Sequence, residues 1–130
     1  MTIALWCIFI AATLPYVPFS YVKGLDPIQP RHYVGDLAER SLRAYGAHLN
    51  GLETFPSFAA AVIVSHMVGG PSRIADILAV LYILVRIGHM TAYIAGRQPL
   101  RTAAFGQLVA LAIFITPLFS LTTQETWRRL

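Results

Sequence analysis

Residues 3–22 read IALWCIFIAATLPYVPFSYV, twenty positions without a charged side chain. As an α-helix this stretch would be about 30 Å long, the thickness of the hydrocarbon core of a bilayer. The competing reading is a cleaved signal peptide. No Lys or Arg precedes the apolar run, and Pro15 and Pro18 fall inside it, so a retained first span bent at its prolines is expected.

Composition extends that reading to the whole chain. Of 130 residues, 56% are hydrophobic and 12% charged, and mean hydropathy is +0.60. A soluble domain carries about 25% charged residues, and one small core could not hide this much apolar surface. Cys7, the single cysteine, can form no intrachain disulfide and carries no signal of redox compartment. The net charge of +4 does not point to nucleic acid, because the basic residues are scattered and no basic stripe with interleaved aromatics is present. Loop asymmetry and contact with anionic headgroups are the natural reading of such a charge.

The remainder divides at polar breaks. Residues 23–35 form a loop containing Asp26, Pro27, Pro30 and Arg31. Asp36, with Glu39 three positions on, has the form of a capping box and predicts a helix that runs to about Val68, where Gly69-Gly70-Pro71 stops it. Such a helix is about 50 Å long, so its first turns stand outside lipid and its span covers residues 43–68. Ser72 is placed to cap a third span over 73–95, which Gly96 ends. A short break leads to a fourth span over 100–121, with Pro99 suited to its first turn and a kink expected at Thr116-Pro117. The sequence therefore predicts an all-α membrane protein, an antiparallel four-transmembrane-helix bundle in one domain over 1–130. Lys23, Arg31, Arg40, Arg43, Arg97 and Arg101 flank one side of it; Arg73, Arg128 and Arg129 flank the other. That asymmetry assigns the first side to the cytoplasm and both termini to the opposite side.

The functional signal lies in the ionisable residues within the spans. Each charge placed in hydrocarbon costs at least about 2.5–3.5 kcal/mol and so needs a partner or a task. The second helix carries Arg43, His48, Asn50 and Glu53, with Asn50 and Glu53 on one face at i, i+3. The third carries Arg86, His89 and Tyr93 on one face, and Arg101-Thr102 opens the fourth, with Phe105 a turn further on. The start of helix two, the end of helix three and the start of helix four share one membrane level, so the three clusters converge. Each also has a plainer reading. Glu53 and Arg86 could be a structural ion pair, His89 and Tyr93 packing residues, and Arg97 and Arg101 interfacial anchors. His66 reads as interfacial at the far end, and Asp76 as a first-turn charge of helix three. A pocket for a small, polar, doubly charged ligand accounts for all the groups together.

At these residues the chain resembles a known family. Residues 39–56, ERSLRAYGAHLNGLETFP, are similar to the signature of the membrane-associated proteins in eicosanoid and glutathione metabolism (MAPEG). Arg86-Ile-Gly-His89-Met-Thr-Ala-Tyr93, followed by Pro99-Leu-Arg101-Thr102, resembles the segment joining that family's third and fourth helices. The likeness is to a bacterial-type member, of the kind of the microsomal glutathione transferases and prostaglandin E synthase. It implies a homotrimer that binds glutathione as co-substrate between protomers near the cytoplasmic face, with no metal. Asn50 and Glu53 would then contact the peptide's polar backbone and amino end, and His89 and Tyr93 would line the same site. Arg43, His48 and Arg86 would belong to its polar surround. Arg101 would sit beside the sulfur, with Thr102 supplying a hydroxyl. The resemblance also implies membrane lipids and lipophilic small molecules as partners. Two positions depart from the eicosanoid-type members: Leu49 stands where they have arginine, and Phe105 where they have tyrosine. Three functions follow: a glutathione-dependent transferase or peroxidase, a non-catalytic lipid-binding scaffold of the same family, and a small exporter. The uncharged first span disfavours the exporter.

Overall fold

The computed structural model describes residues 1–25, 37–97 and 104–117. Its elements are α1 (Ile3–Thr13), α2 (Tyr16–Phe19), α3 (Glu39–Gly69), α4 (Arg73–Ile94) and α5 (Ala104–Pro117). The expected bend in the first span falls between α1 and α2, at Leu14 and Pro15. Pro15 has no N–H to offer the carbonyl four residues back, and its ring crowds that carbonyl, so the helix cannot pass through it unbroken.

Helix α3 spans 31 residues, about 46 Å, and α4 spans 22, about 33 Å. Both are long and apolar enough to cross a membrane; 3–19 and 104–117 form shorter apolar helices. Gly70 ends α3 at φ +72°, and Gly96 follows α4 at φ +73°, both in the left-handed region open to glycine. These are the stops read from the sequence. Ser72 occupies the N-cap position of α4, but its side chain makes no capping bond, which corrects the expectation from sequence. Asp36, Pro99 and residues 118–121, on which the other boundary expectations rest, lie outside the described residues.

Contacts between helices fix the order of levels along the bundle. At one end, Asp76 Oδ1 accepts from the backbone N–H of Ala4 at 2.7 Å, satisfying a donor that the first turn of α1 leaves unpaired. Asp76 does lie in the first turn of α4, as expected, and it acts across to a second helix. Thr2 Oγ1 lies 2.7 Å from His66 Nε2, whose Nδ1 sits 3.0 Å from the Val62 carbonyl. A carbonyl only accepts, so the neutral ring carries its proton on Nδ1 and takes the Thr2 hydroxyl at Nε2. At the same end Ser65 and Thr116 are 2.9 Å apart, joining α3 to α5. At the opposite end the N–H of Lys23 donates to Ser41 Oγ at 3.1 Å. Thus α1 runs antiparallel to α3, and α5 runs parallel to α3.

Small residues let the helices close. A Cβ on Gly51 would lie 2.7 Å from Pro15 Cγ, and one on Gly46 would lie 2.9 Å from the Tyr93 hydroxyl. The core between α1, α3, α4 and α5 holds Phe58 stacked on Tyr82, centroids 3.9 Å apart, with Val62, Ile83 and Ile113 around them. Outside, Trp6, Phe9, Ile77, Leu84, Leu108 and Leu111 are exposed along the spans. A belt of large apolar side chains on every outer face suits lipid as the surrounding solvent.

Candidate functional site

Arg86 decides the chemistry of the interior. It sits on α4 at 6% exposure, and its Nη2 donates to Asn50 Oδ1 on α3 at 3.0 Å. Its Nη1 is buried and meets no hydrogen-bond partner among the described residues. The sequence left open an ion pair between Arg86 and Glu53; the structure joins Arg86 to Asn50, and Glu53 is exposed near the midpoint of α3. The spacing of i and i+3 puts both residues on one side of α3, but 60° of rotation separates them. That rotation turns Asn50 toward α4 and Glu53 outward. This guanidinium inside the bundle is bonded to a neutral amide and to no carboxylate among the described residues.

A cavity of about 20 Å³ adjoins this arginine, lined by Pro15, Gly51, Tyr82 and Met90, among others. It has room for about one water molecule. Tyr82, which the sequence reading passed over, donates its hydroxyl to the Thr54 carbonyl at 3.2 Å and so closes one wall. A phenol within an apolar span, four residues before Arg86, was the available signal. The carbonyl it meets carries none.

His89 and Tyr93 follow Arg86 along the same face of α4, with ring centroids 5.9 Å apart. His89 is 2% exposed, and Tyr93 is half-buried with its hydroxyl against Gly46 of α3. Arg86, His89, Tyr93 and Asn50 are therefore brought to one seam between α3 and α4. His48 is placed elsewhere. Its Nδ1 donates to the Pro15 carbonyl at 2.9 Å, and Tyr16, Phe19 and Tyr45 surround its ring. Only two residues from Asn50, it points some 160° away around the helix, against the bend of the first span. Arg43 pairs with Glu39 one turn before it, and its Nε donates to the Ile94 carbonyl at 3.2 Å, a cation on the last carbonyls of α4. Arg101 and Thr102 lie outside the described residues.

On the outer surface, Glu53 has polar company. Ser57 Oγ, one turn further along α3, donates to Gln107 Oε1 of α5 at 2.9 Å. Gln107 was another residue the sequence reading missed; an amide within an apolar fourth span was its signal. Glu53, Ser57 and Gln107 form a polar strip on a face otherwise made of Leu52, Leu108 and Leu111. Leu49 and Phe105 are exposed too. Among the described residues no cluster of His, Cys, Asp and Glu could hold a metal ion.

The chain matches the MAPEG family over residues 2–119, nearly its whole length. No curated protein and no solved structure matches it.

Proposed function

Because the chain belongs to the MAPEG family, membrane proteins of eicosanoid and glutathione metabolism, we propose that it is a membrane-embedded glutathione-dependent transferase or peroxidase acting on lipophilic electrophiles. The observation that carries this reading is the buried Arg86 with a guanidinium N–H left over. With Oδ1 of Asn50 held by Arg86, the Asn50 amide N–H groups, which meet no acceptor among the described residues, would meet a ligand carboxylate. Glu53, an exposed carboxylate on the neighbouring turn, suits the ligand's ammonium. Glutathione carries both a carboxylate and an ammonium.

In this reading Arg101 faces the sulfur. A thiol near pKa 8.5 is mostly protonated at neutral pH, and a guanidinium beside it in a partly dry site favours the thiolate. With an alkylating electrophile, sulfur forms a bond to carbon, the leaving group departs with its electron pair, and the thiol proton passes to water. With a lipid hydroperoxide, sulfur attacks the terminal oxygen and the O–O bond breaks. This yields the alcohol and a sulfenic acid, which a second glutathione converts to the disulfide and water. The apolar belt brings either electrophile in from the bilayer. A strip of Glu53, Ser57 and Gln107 facing lipid would be costly, so a second protomer covers it in the proposed homotrimer.

Thermal unfolding in detergent with added reduced glutathione tests the proposal. At a hundred times its Kd a ligand specific to the folded state contributes about 2.7 kcal/mol, a readily measured shift. Glu53→Ala should abolish the shift. If the wild type shows none at millimolar glutathione, the glutathione reading fails. The lipid-binding scaffold would then be preferred, a reading favoured by the exposed, apolar Leu49 and Phe105.

A further inference from the structure

A second recess lies at the bundle end richest in Lys and Arg, and it shares Met90 with the cavity beside Arg86. It has a volume of about 550 Å³ and is bounded by α2 and the residues after it, the first turns of α3 and the last turn of α4. Its wall is mixed: Arg40, Arg43 and Tyr21 supply polar groups, and Val17, Met90 and Ile94 supply an apolar surface. The charge there is unbalanced. Glu39 pairs with Arg43, while Arg40 is exposed and in no ion pair among the described residues. The exposed Lys23 is joined through its backbone to Ser41, beside Arg40, and adds a further positive charge. The C-terminal carbonyls of α4 would repel an anion at this point, but the Nε of Arg43 already occupies the Ile94 carbonyl.

We propose that this recess is a binding site for one anionic phospholipid. The phosphate sits at the Arg40 guanidinium and the remaining N–H groups of Arg43, and the first methylenes of an acyl chain lie against Val17, Met90 and Ile94. A guanidinium offers a fork of donors matched to phosphate oxygens, and the volume lies within the range of small-molecule sites. A soluble anion would satisfy the arginines and leave the apolar floor wet; a zwitterionic lipid would cover the floor and bring its own ammonium to the arginines. The headgroup of an anionic lipid with its chain attached satisfies both ends. The site differs from that of the glutathione reading in its use of α2 and Arg40, and Met90 borders both recesses.

Native mass spectrometry of the full-length protein, titrated with phosphatidylglycerol and phosphatidylcholine in mild detergent, tests this. The wild type should hold one phosphatidylglycerol per chain in preference to phosphatidylcholine. Arg40→Gln should reduce that preference about fivefold, the worth of one charge at an anionic surface. Because Arg40 is exposed and in no ion pair among the described residues, its replacement should leave the unfolding temperature and any glutathione-induced shift as they were. Ile94→Trp, which fills the floor, should lower retention of phosphatidylglycerol while leaving binding of glycerol phosphate unaltered. Equal retention of the two lipids by the wild type would overturn the proposal. So would an unchanged preference in Arg40→Gln, or displacement of the lipid by equimolar glycerol phosphate.

Discussion

Gly51→Ala probes the contact that sets the depth of the site. An added Cβ would lie 2.7 Å from Pro15 Cγ and 2.8 Å from Pro15 Cβ. Carbon pairs rest at about 3.5–4.0 Å, so the methyl group would intrude by some 0.8 Å on a ring that cannot rotate away. Overpacking of this kind costs about 1–3 kcal/mol. Alanine also removes the helix penalty of glycine, a gain of about 0.8–1 kcal/mol, and Gly88→Ala isolates that gain. Gly88 lies within α4 with nothing within 4 Å of its would-be Cβ. Relative to Gly88→Ala, then, Gly51→Ala should be less stable by about 1–3 kcal/mol. For a chain of this size that is on the order of 3–6 °C of unfolding temperature per kcal/mol. Differential scanning fluorimetry of the two variants in one detergent measures the difference. A Pro15→Gly background should shrink the penalty, with a coupling of about 0.5–3 kcal/mol between the two positions. Equal unfolding temperatures for the two alanine variants would refute the claim that Gly51 and Pro15 set the approach of α1 to α3. Since Pro15 and Gly51 also line the cavity beside Arg86, Gly51→Ala should weaken the glutathione-induced shift as well.

Arg101→Ala should leave glutathione binding within a few-fold while turnover falls about 10²-fold, as expected of a group that acts on developing or full charge at sulfur. Lysine there should restore part of the rate, and unchanged turnover in the alanine variant would make Arg101 an interfacial anchor; conjugation of a chloronitrobenzene and reduction of a lipid hydroperoxide are the assays. Native mass spectrometry from mild detergent should show three copies per particle, and a particle of one or two chains would count against the trimer.

What the sequence made legible were features that depend on one segment at a time. Apolar runs marked the spans, Pro15 marked the bend, and Gly70 and Gly96 marked the helix ends, because each acts through its own backbone. Choices between neighbours were not legible. Helical spacing put Asn50 and Glu53 on one side of α3 but could not say which of them meets Arg86. That depends on the rotation of α3 about its own axis, set by the contact of Gly46 with Tyr93 of α4 on one side and of Gly51 with Pro15 of the first span on another. Ser72 had the right chemistry and position for a cap, yet α4 begins without a bond from it. Asp76 reaches Ala4 across 72 residues of sequence, and no local pattern encodes such a pairing.

That last bond bears on the order in which the bundle is assembled. The amide of Ala4 is made first, and its acceptor follows 72 residues later. At about 5–20 residues per second the interval is roughly 4–14 s. Pro15 can be grasped sooner, when His48 emerges, and Thr2 sooner too, when His66 does. The partners of the first helix are thus made in chain order: His48 for its bend, His66 for its tip, and last the carboxylate of α4. Until that carboxylate is made, the Ala4 N–H, a first-turn donor with no partner inside its own helix, lacks the acceptor it has in the finished bundle.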